Sequence, residues 1–353
     1  MFSSLPFNYM FFVVVIFGTL FSISSSHWLG IWAGLEINLI GFLPLLVYQK
    51  SMSESESAVK YFVIQALGSS LLLFGSLGTY SLSFSWESLN SLEDFSYLSL
   101  LIISAGLILK MGIFPFHFWF PGVMAGLPWL SCLFLSTWQK VGPLFLMISL
   151  LEVNLMTWLL LTFCVVASGS SLLGGLGGMN QTQVRALLAY SSIGHLGWIM
   201  FAGIHSTWAM GLYFGIYVLI SFCIFVSLWF MDLKFTKNLV GVLSLSYSAL
   251  IVMIMLLSLG GLPPMLGFIS KWAVIMVSVS QTLSIFIILL IVGSLMSLFY
   301  YLSLFFSLFL GALKEKSSKN LVLGNVAWMH SLGLLVNFLG GFLLLVSGVL
   351  WSV

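Results

Sequence analysis

The sequence predicts an all-α, polytopic membrane protein with about eleven transmembrane helices. Two observations lead to this class. The chain of 353 residues is 61% hydrophobic and only 6% charged, and its mean hydropathy is +1.17. Apolar stretches of about twenty residues recur along it, the length that an α-helix needs to cross a hydrocarbon core of about 30 Å. A soluble domain is therefore excluded, and a net charge of +2 is too small to indicate a nucleic-acid partner.

Hydropathy divides the chain into successive spans, which we expect to form one membrane domain over residues 1–353. Apolar residues begin at Leu5 and the first basic residue is Lys50, so the sequence predicts neither a secretory signal peptide nor an Arg-rich transit segment. The predicted spans lie near residues 5–25, 28–48, 57–82, 96–120, 128–150, 154–175, 183–204, 208–232, 243–279, 282–310 and 327–351.

The charged residues between these spans divide unequally between the two sides of the membrane. The basic residues on the N-terminal side are Lys50, Arg185, Lys234, Lys237, Lys314, Lys316 and Lys319. The opposite loops carry the acidic residues Glu87, Glu93, Asp94 and Glu152. An excess of Lys and Arg is typical of the inner face. The sequence therefore predicts an N-terminus on the inner side and a C-terminus on the outer side.

Two of the predicted spans are interrupted. The fourth contains GIFPF at 112–116 and the ninth contains GGLPP at 260–264, where proline removes backbone donors. At about 1.5 Å per residue the ninth span would be about 54 Å long, too long for one straight crossing. Two unrelated proline kinks would also explain the pattern. We expect instead two broken helices at matching places.

The positions of the breaks indicate an internal repeat. Each break falls in the fourth member of a group of five spans, residues 5–150 and 154–310, and a last helix follows at 327–351. Because five is an odd number, the second group would enter the membrane inverted relative to the first. Inverted repeats with discontinuous helices are typical of ion-coupled transporters, whose sites lie near the breaks.

Charged side chains inside the apolar spans are the main candidates for function. Lys110, Lys140 and Lys271 lie well inside their spans, where a charge costs about 2.5 to 3.5 kcal/mol on insertion scales. The carboxylate of Glu36 lies at comparable depth. Desolvation favours a neutral lysine and a nearby carboxylate favours a charged one, so such a group can take up and release a proton. We expect Glu36 to pair with Lys60 and, on opening, to pass charge to the three lysines. The alternative for Lys60, which lies at the end of a span, is that its ammonium extends to the membrane interface and has no role in transfer.

Histidine and serine side chains form a second set of polar groups. His117 follows the first break, and His195 shares a helical face with Ser191 and Ser192, because residues three and four apart lie on one face. We expect these groups to help hold water beside the buried lysines, although histidines that only pack between helices would explain the pattern equally well. Neither histidine has a partner set that would suit haem.

The sequence predicts no cofactor and no metal in this chain. The cysteines share no short spacing, which argues against a disulfide framework and against an iron–sulfur site. All three lie inside apolar segments, at Cys132, Cys164 and Cys223.

Six segments carry a resemblance to a known family. They are GLEINLIGFLPLL, AVKYFVIQALGSSLLL, LKMGIFPFHFWFPGVMAGLPW, TWQKVGPL, GGMNQTQVRALLAYSSIGHLGW and LSLGGLPPMLGFISKW. In order along residues 27–275, they closely resemble the subunit 2 family of mitochondrial NADH dehydrogenase. These proteins are antiporter-like, proton-pumping membrane subunits of respiratory complex I. The residues after 275 resemble the family mainly in hydropathy.

The resemblance implies a proton-translocating subunit of NADH:ubiquinone reductase, in the shortened animal form. FMN, iron–sulfur clusters and ubiquinone would belong to partner subunits, membrane and peripheral. The chain would contact lipid, would not form a free homo-oligomer, and would lie in the mitochondrial inner membrane with its N-terminus in the matrix and its C-terminus in the intermembrane space. The family's glutamate, its paired lysine and the broken-helix, central and distal lysines fall on Glu36, Lys60, Lys110, Lys140 and Lys271.

Two other functions remain open at this stage. A free-standing or Mrp-like cation/proton antiporter would use the same inverted repeat and the same lysines. A cytochrome b-type electron carrier is a more remote alternative, because the histidines do not form a convincing haem site.

Overall fold

The computed structural model describes residues 8–47, 51–83, 86, 97–153, 157–231, 247–279, 285–314 and, apart from 336 and 339, 333–342. These ranges contain helices joined by short turns and no extended strand, so the predicted all-α class is confirmed. The complete helices within them are α1 Asn8–Ser24, α2 Trp28–Leu46, α3 Met52–Ser83, α4 Tyr97–Met111, α5 Trp119–Gly126, α6 Trp129–Ser136, α7 Trp138–Val153, α8 Thr157–Gly178, α9 Val184–His205, α10 Thr207–Met231, α11 Tyr247–Gly260, α12 Leu266–Val279 and α13 Ile285–Lys314.

The helices have the length and composition of membrane spans. Among the described residues, 7 helical stretches are long and apolar enough to cross a membrane, and shorter apolar helices accompany them. Helices suit this environment because they satisfy their own backbone hydrogen bonds without water. The chain is a multi-pass membrane protein. The number eleven stays a prediction, since most of the predicted span 327–351 and most of the charged loops that indicate orientation lie outside the described residues.

The chain divides into two compact units, residues 1–163 and 164–353, and the division falls within α8. In the first unit α2 packs against α1 and α3, α3 packs against α4 and α5, and α7 contacts α1 and α4. In the second unit α10 packs against α9, α11 and α12, and α13 packs against α9 and α11. The boundaries of the five-helix repeats stay predictions.

Glycines let α3 and α4 approach closely, which is a common way to pack helices in lipid. A Cβ on Gly106 would lie 3.0 Å from the carbonyl oxygen of Gly68, and a Cβ on Gly68 would lie 2.9 Å from Cγ of Lys110. The absence of a side chain at Gly68 therefore makes room for the stem of a buried lysine.

Both predicted breaks are present, the first between α4 and α5 and the second between α11 and α12. Each begins with a glycine in the left-handed region, Gly112 with φ of 71° and Gly261 with φ of 85°. Three residues later each break has a proline that follows a cis peptide bond, Pro115 and Pro264.

The two half-helices that precede the breaks end with the same hydrogen bonds. In each, the glycine N–H and the next N–H reach back over the last turn, which is the Schellman arrangement that satisfies carbonyls at a helix C-terminus. The bonds are Gly112 N to Leu109 O (3.2 Å), Ile113 N to Ile108 O (3.4 Å), Gly261 N to Ser258 O (3.0 Å) and Leu262 N to Leu257 O (3.5 Å). Glycine and proline at equal spacing thus produce one backbone turn twice.

A third interruption lies at Thr137, between α6 and α7, and the sequence analysis did not predict it. The carbonyl of Leu133 accepts from both the N–H of Thr137 at 3.0 Å and its hydroxyl at 2.7 Å. Such back-bonding by threonine competes with the regular helix ladder and often bends helices. The interruption places Lys140 in the first turn of α7.

Candidate functional site

All three lysines of the apolar spans are buried. The exposed fraction is 7% for Lys110, 2% for Lys140 and 8% for Lys271. A lysine is almost never this buried without a specific environment. The first two lie in the first compact unit and Lys271 lies in the second, so each unit is described separately.

Lys110 and Lys140 line the same small cavity, here called the first cavity. The centre of a water molecule could occupy a volume of about 10 Å³ in it, which is close to the minimum for a cavity that holds one water. Polar side chains from α3 and α7 complete its wall, so a water there would find several partners. The lining residues are Tyr61, Gln65, Lys110, Met111, Trp119, Phe120, Leu135, Gln139 and Lys140.

An aromatic ring supports the ammonium of Lys140. Its Nζ lies 4.2 Å from the ring centroid of Phe120, within the range of a cation–π interaction. Phe120 belongs to α5, the half-helix that follows the first break. The break therefore delivers an aromatic face to a lysine on α7.

A pair of amide side chains joins the helix of Glu36 to the helix of Lys140. Asn38 Nδ2 donates to Gln139 Oε1 at 2.9 Å, and Gln139 Nε2 donates to Asn38 Oδ1 at 3.0 Å. The hydroxyl of Tyr61 also donates to Gln139 Oε1, at 3.4 Å. This network fixes the orientation of the Gln139 amide, and it turns the hydroxyl hydrogen of Tyr61 toward that amide.

Glu36 faces this site. Its carboxylate lies within electrostatic range of Lys110 and of the hydroxyl of Tyr61. One carboxylate oxygen of Glu36 is buried, with no hydrogen-bond donor among the described residues. A buried acceptor without a hydrogen-bond donor is costly, so a water or another donor that reached this oxygen would stabilise it.

The predicted ion pair between Glu36 and Lys60 is not found among the described residues. Lys60 Nζ instead contacts Glu56 Oε1 at 2.5 Å, one turn earlier on α3, with 53% and 68% of the two side chains exposed. Residues four apart on one helix meet readily, and this local partner is closer at hand than a carboxylate on α2. The Glu36 carboxylate lies within electrostatic range of the Lys110 ammonium.

In the second unit, Lys271 reaches back across the second break. Its ammonium donates to the carbonyl of Gly260 at 2.8 Å. That carbonyl is at the C-terminus of α11, where unpaired carbonyls give a helix its negative end. Gly261 leaves space for this contact, because a Cβ there would lie 3.0 Å from the lysine Nζ.

A second cavity adjoins Lys271. It also has about 10 Å³ of space for water centres, and its wall includes Ser191, His195 and Tyr300 together with four glycines from α8, α9 and α13. The ring of His195 is hydrogen bonded to the hydroxyl of Tyr213 at 3.0 Å. The structure thus brings His195 and Ser191 to the same cavity as Lys271.

The other proposed helpers lie elsewhere. Ser192 is buried and its hydroxyl donates to the carbonyl of Ala189 at 2.7 Å, and it is not among the residues that line either cavity. His117 lies at the first break, with Nδ1 3.3 Å from the carbonyl oxygen of Pro115. His117 does not line the first cavity, whose wall includes Trp119 and Phe120.

Sequence reasoning missed several polar residues of these cavities. Tyr61, Gln65 and Gln139 line the first one, and Asn38 holds Gln139 in place. A usable signal was present, because amides within apolar spans need internal partners. Their pairing was not readable, since Asn38 and Gln139 are 101 residues apart.

Titratable residues do not gather into a metal site in the described part of the chain. No group of three or more His, Cys, Asp or Glu side chains there is arranged to hold a metal ion. The groups that line the two cavities include lysine, hydroxyl, imidazole and amide side chains, and the carboxylate of Glu36 lies within electrostatic range of Lys110.

Sequence comparison relates the chain to one family. Residues 25–297 match the family described as NADH:quinone oxidoreductase/Mrp antiporter, TM. The chain is 40% identical over 345 residues to NADH-ubiquinone oxidoreductase chain 2 of Anopheles gambiae, which covers 96% of this chain and 97% of that one. It is also 40% identical over 295 residues to the chain 2 protein of Lumbricus terrestris, covering 83% and 84%.

Solved structures share the fold. A chain of respiratory complex I from Thermus thermophilus with bound aureothin has a TM-score of 0.81 at 25% identity, covering 99% of this chain and 80% of that chain. A chain of the Mrp complex from Dietzia has a TM-score of 0.72 at 16% identity, covering 85% and 60%. At the lower identity the likeness concerns the fold alone.

Proposed function

Since this chain belongs to the NADH:quinone oxidoreductase/Mrp antiporter family, and within it to the chain 2 subunits of NADH-ubiquinone oxidoreductase, we propose that it moves protons through its buried lysines. It is a proton-pumping membrane subunit of an enzyme complex. Under this proposal NADH oxidation, FMN, iron–sulfur clusters and ubiquinone belong to partner subunits. The membrane is the mitochondrial inner membrane, with the N-terminus in the matrix and the C-terminus in the intermembrane space.

The observation that carries this proposal is that two buried lysines line the first cavity. Lys110 and Lys140 line one space close to the size of a single water, and Glu36 lies within electrostatic range of Lys110. A proton can pass between two amines through such a water, because each amine is a donor when charged and an acceptor when neutral. Phe120 stabilises the charged form of Lys140 once the proton has arrived,.

The energies are of the size that a pump needs. Two unit charges about 10 Å apart, at an effective dielectric constant near 20, interact by about 1.7 kcal/mol. That is more than a tenfold change in the affinity of a lysine for a proton. It is comparable with the roughly 2.3 kcal/mol gained when one charge crosses 100 mV. At that separation, a change of charge on Glu36 or Lys110 would change the proton affinity of a neighbouring lysine by more than tenfold.

Lys271 provides the corresponding group in the second unit. Its ammonium lies on the carbonyl of Gly260, and Ser191, His195 and Tyr300 line the adjoining cavity. Hydroxyls and an imidazole can each donate and accept. This wall therefore suits the entry or exit of a proton through water.

The experiment that tests the proposal replaces Glu36 in the assembled complex. Glu36→Gln removes the charge and keeps the volume, and Glu56→Gln is a matched control because Glu56 is an exposed carboxylate, with 68% of its side chain accessible. NADH-driven proton uptake is measured in vesicles at several imposed potentials. We expect Glu36→Gln to slow uptake most at high opposing potential, and Glu56→Gln to behave as the wild type.

The result against the proposal is also clear. Equal, potential-independent uptake by the wild type and Glu36→Gln would remove Glu36 from proton transfer. Normal pumping by an assembled Lys110→Met variant, which keeps the apolar stem and loses the ammonium, would remove the first cavity. If the purified native chain formed a small homo-oligomer that exchanged cations without NADH, the free-standing antiporter would replace the present proposal.

A further inference from the structure

We infer that Asn337, close to the C-terminus of the chain, is a positioning residue for Lys271, because its side chain joins the two halves of the second broken helix. Its side-chain oxygen accepts from the backbone N–H of Leu266, the first residue of α12, at 3.1 Å. Its side-chain N–H₂ donates to the sulfur of Met255 on α11 at 3.1 Å. The inference deepens the proposed function where it concerns pumping, and its structural part stands independently.

The start of α12 needs such a partner. The first N–H groups of any helix have no partner within the helix, and a Ser, Thr, Asp or Asn just before the helix usually satisfies one of them. The residue before α12 is Met265, whose side chain offers no good acceptor, and the two residues before it are prolines. The local sequence supplies no side-chain cap, so the cap comes from 71 residues away.

Asn337 is held firmly where it makes these bonds. It is 1% exposed, and an unpaired amide at that depth would be costly. The described glycines that follow it lie directly on the break: a Cβ on Gly340 would lie 3.0 Å from Leu266, and a Cβ on Gly341 would collide with the carbonyl oxygen of Pro264. Tight packing therefore holds the Asn337 amide against the break.

The first break is supported differently. There the indole N–H of Trp119 donates to the carbonyl of Leu109 at 3.2 Å, so a residue of the following half-helix bonds back to the preceding one. The second break has no tryptophan at this place: Phe268 follows Gly261 by the same seven residues that separate Trp119 from Gly112. Asn337 supplies from another helix the bridge that Trp119 supplies locally.

This bridge controls the geometry of Lys271. The lysine is five residues into α12 but bonds to the last residue of α11, so its contact exists only while both half-helices keep their relative placement. Asn337 bonds to one residue of each half. Loss of the bridge would allow α12 to move and would lengthen the contact between the ammonium and the Gly260 carbonyl.

The test compares three variants in the assembled complex. Asn337→Leu keeps the approximate size and removes both bonds. Asn337→Asp is nearly isosteric and keeps the acceptor for the Leu266 N–H. Met255→Leu removes only the weak sulfur acceptor. Two quantities are measured: the hydrogen-exchange rate of the Leu266 amide, and protons pumped per NADH in vesicles.

We expect Asn337→Leu to speed exchange at Leu266 about tenfold, the effect of leaving one buried donor without its bond, and to lower pumping about threefold to tenfold. Asn337→Asp should restore the exchange rate and part of the pumping, because it keeps the bond to Leu266 and loses the donor to Met255. Met255→Leu breaks only the α11 side of the bridge, so it should leave exchange at Leu266 within about twofold and lower pumping less than Asn337→Leu does. Unchanged exchange in Asn337→Leu would overturn the bond itself. Faster exchange with normal pumping, or equal losses in the Leu and Asp variants, would overturn the positioning role. A Lys271→Met variant that pumps normally would instead defeat the proposed function, and would leave the exchange result standing.

Discussion

Gly261 is the position where a single added methyl group should disturb proton transfer most selectively. Its φ of 85° is in the left-handed region, which costs an L-residue about 1 to 2 kcal/mol. A Cβ there would lie 3.0 Å from Nζ and 3.1 Å from Cδ of Lys271. The lysine is flexible and will move before the backbone does, so it will lose its hydrogen bond to the Gly260 carbonyl. A hydrogen bond to a charged group contributes about 1.5 to 3 kcal/mol.

The Gly261→Ala variant should therefore still assemble into the complex, but it should pump protons poorly. The two costs together are about 2.5 to 5 kcal/mol, and only the part that acts on Lys271 affects pumping. We expect at least a tenfold lower rate of NADH-driven proton uptake, measured in vesicles per assembled complex. The fraction of assembled complex is measured in the same preparation, so a folding defect is separated from a transfer defect.

Two control variants isolate the lysine contact from the backbone strain. Gly260→Ala keeps the carbonyl, and its Cβ would lie 3.5 Å from the ring of Tyr301, an ordinary contact; it should pump nearly as the wild type does. Gly112→Ala imposes the same kind of strain at φ of 71°, and there the nearest atoms belong to Phe120 and Trp119, so any loss of pumping that it causes arises at the first break and not at Lys271. If Gly261→Ala and Gly260→Ala pumped equally well, the Lys271 contact with Gly260 would have no part in proton transfer.

Three further predictions concern the first unit. Asn38→Leu should leave the Gln139 amide without its reciprocal partner and lower proton uptake, whereas the double variant with Gln139→Leu should cost less than the sum of the single ones, because it leaves no orphaned amide; additive losses would contradict the pairing. Phe120→Leu removes the ring under Lys140 and should slow uptake about twofold to tenfold, the effect of a cation–π contact of roughly 0.5 to 1 kcal/mol or somewhat more when desolvated. An unchanged rate would exclude that support. Lys60→Gln should pump normally, since its ion pair is exposed and such pairs contribute little; a large loss would support the role in proton translocation that the resemblance implies for Lys60.

Much of the backbone could be predicted from the sequence because residues close together in the chain determine its conformation. Gly112 and Pro115 are three positions apart, and so are Gly261 and Pro264. Glycine readily adopts the positive φ that the turn needs, and proline fixes its own φ and lacks a backbone donor. The breaks follow from that. Burial of the lysines was equally readable, since an isolated charge in a long apolar span has few places to go.

The partners of these groups could not be predicted, because they depend on residues far apart in the chain. Glu36 lies within electrostatic range of Lys110, although Lys60 is nearer in sequence. Asn337 meets Leu266 across 71 residues. Hydropathy averages over a span and treats every face of a helix alike, so it cannot tell which face carries the partner. The interruption at Thr137 was missed for another reason: a hydroxyl bonded to its own helix leaves the hydropathy unchanged.

The two breaks share one backbone turn but receive their cations from different places in the chain. Lys110 lies two residues before Gly112, and Lys271 lies ten residues after Gly261. Turn and cation are thus separable traits, and evolution can keep one while relocating the other. Under the proposed function, a relative with an apolar residue at the position of Lys271 would still pump if another helix brought an amine to the carbonyl that corresponds to Gly260. The corresponding lysine in a distant relative should therefore be identified by its distance in space from the carbonyl oxygen that matches Gly260. An apolar residue at the aligned position is weak evidence of lost activity.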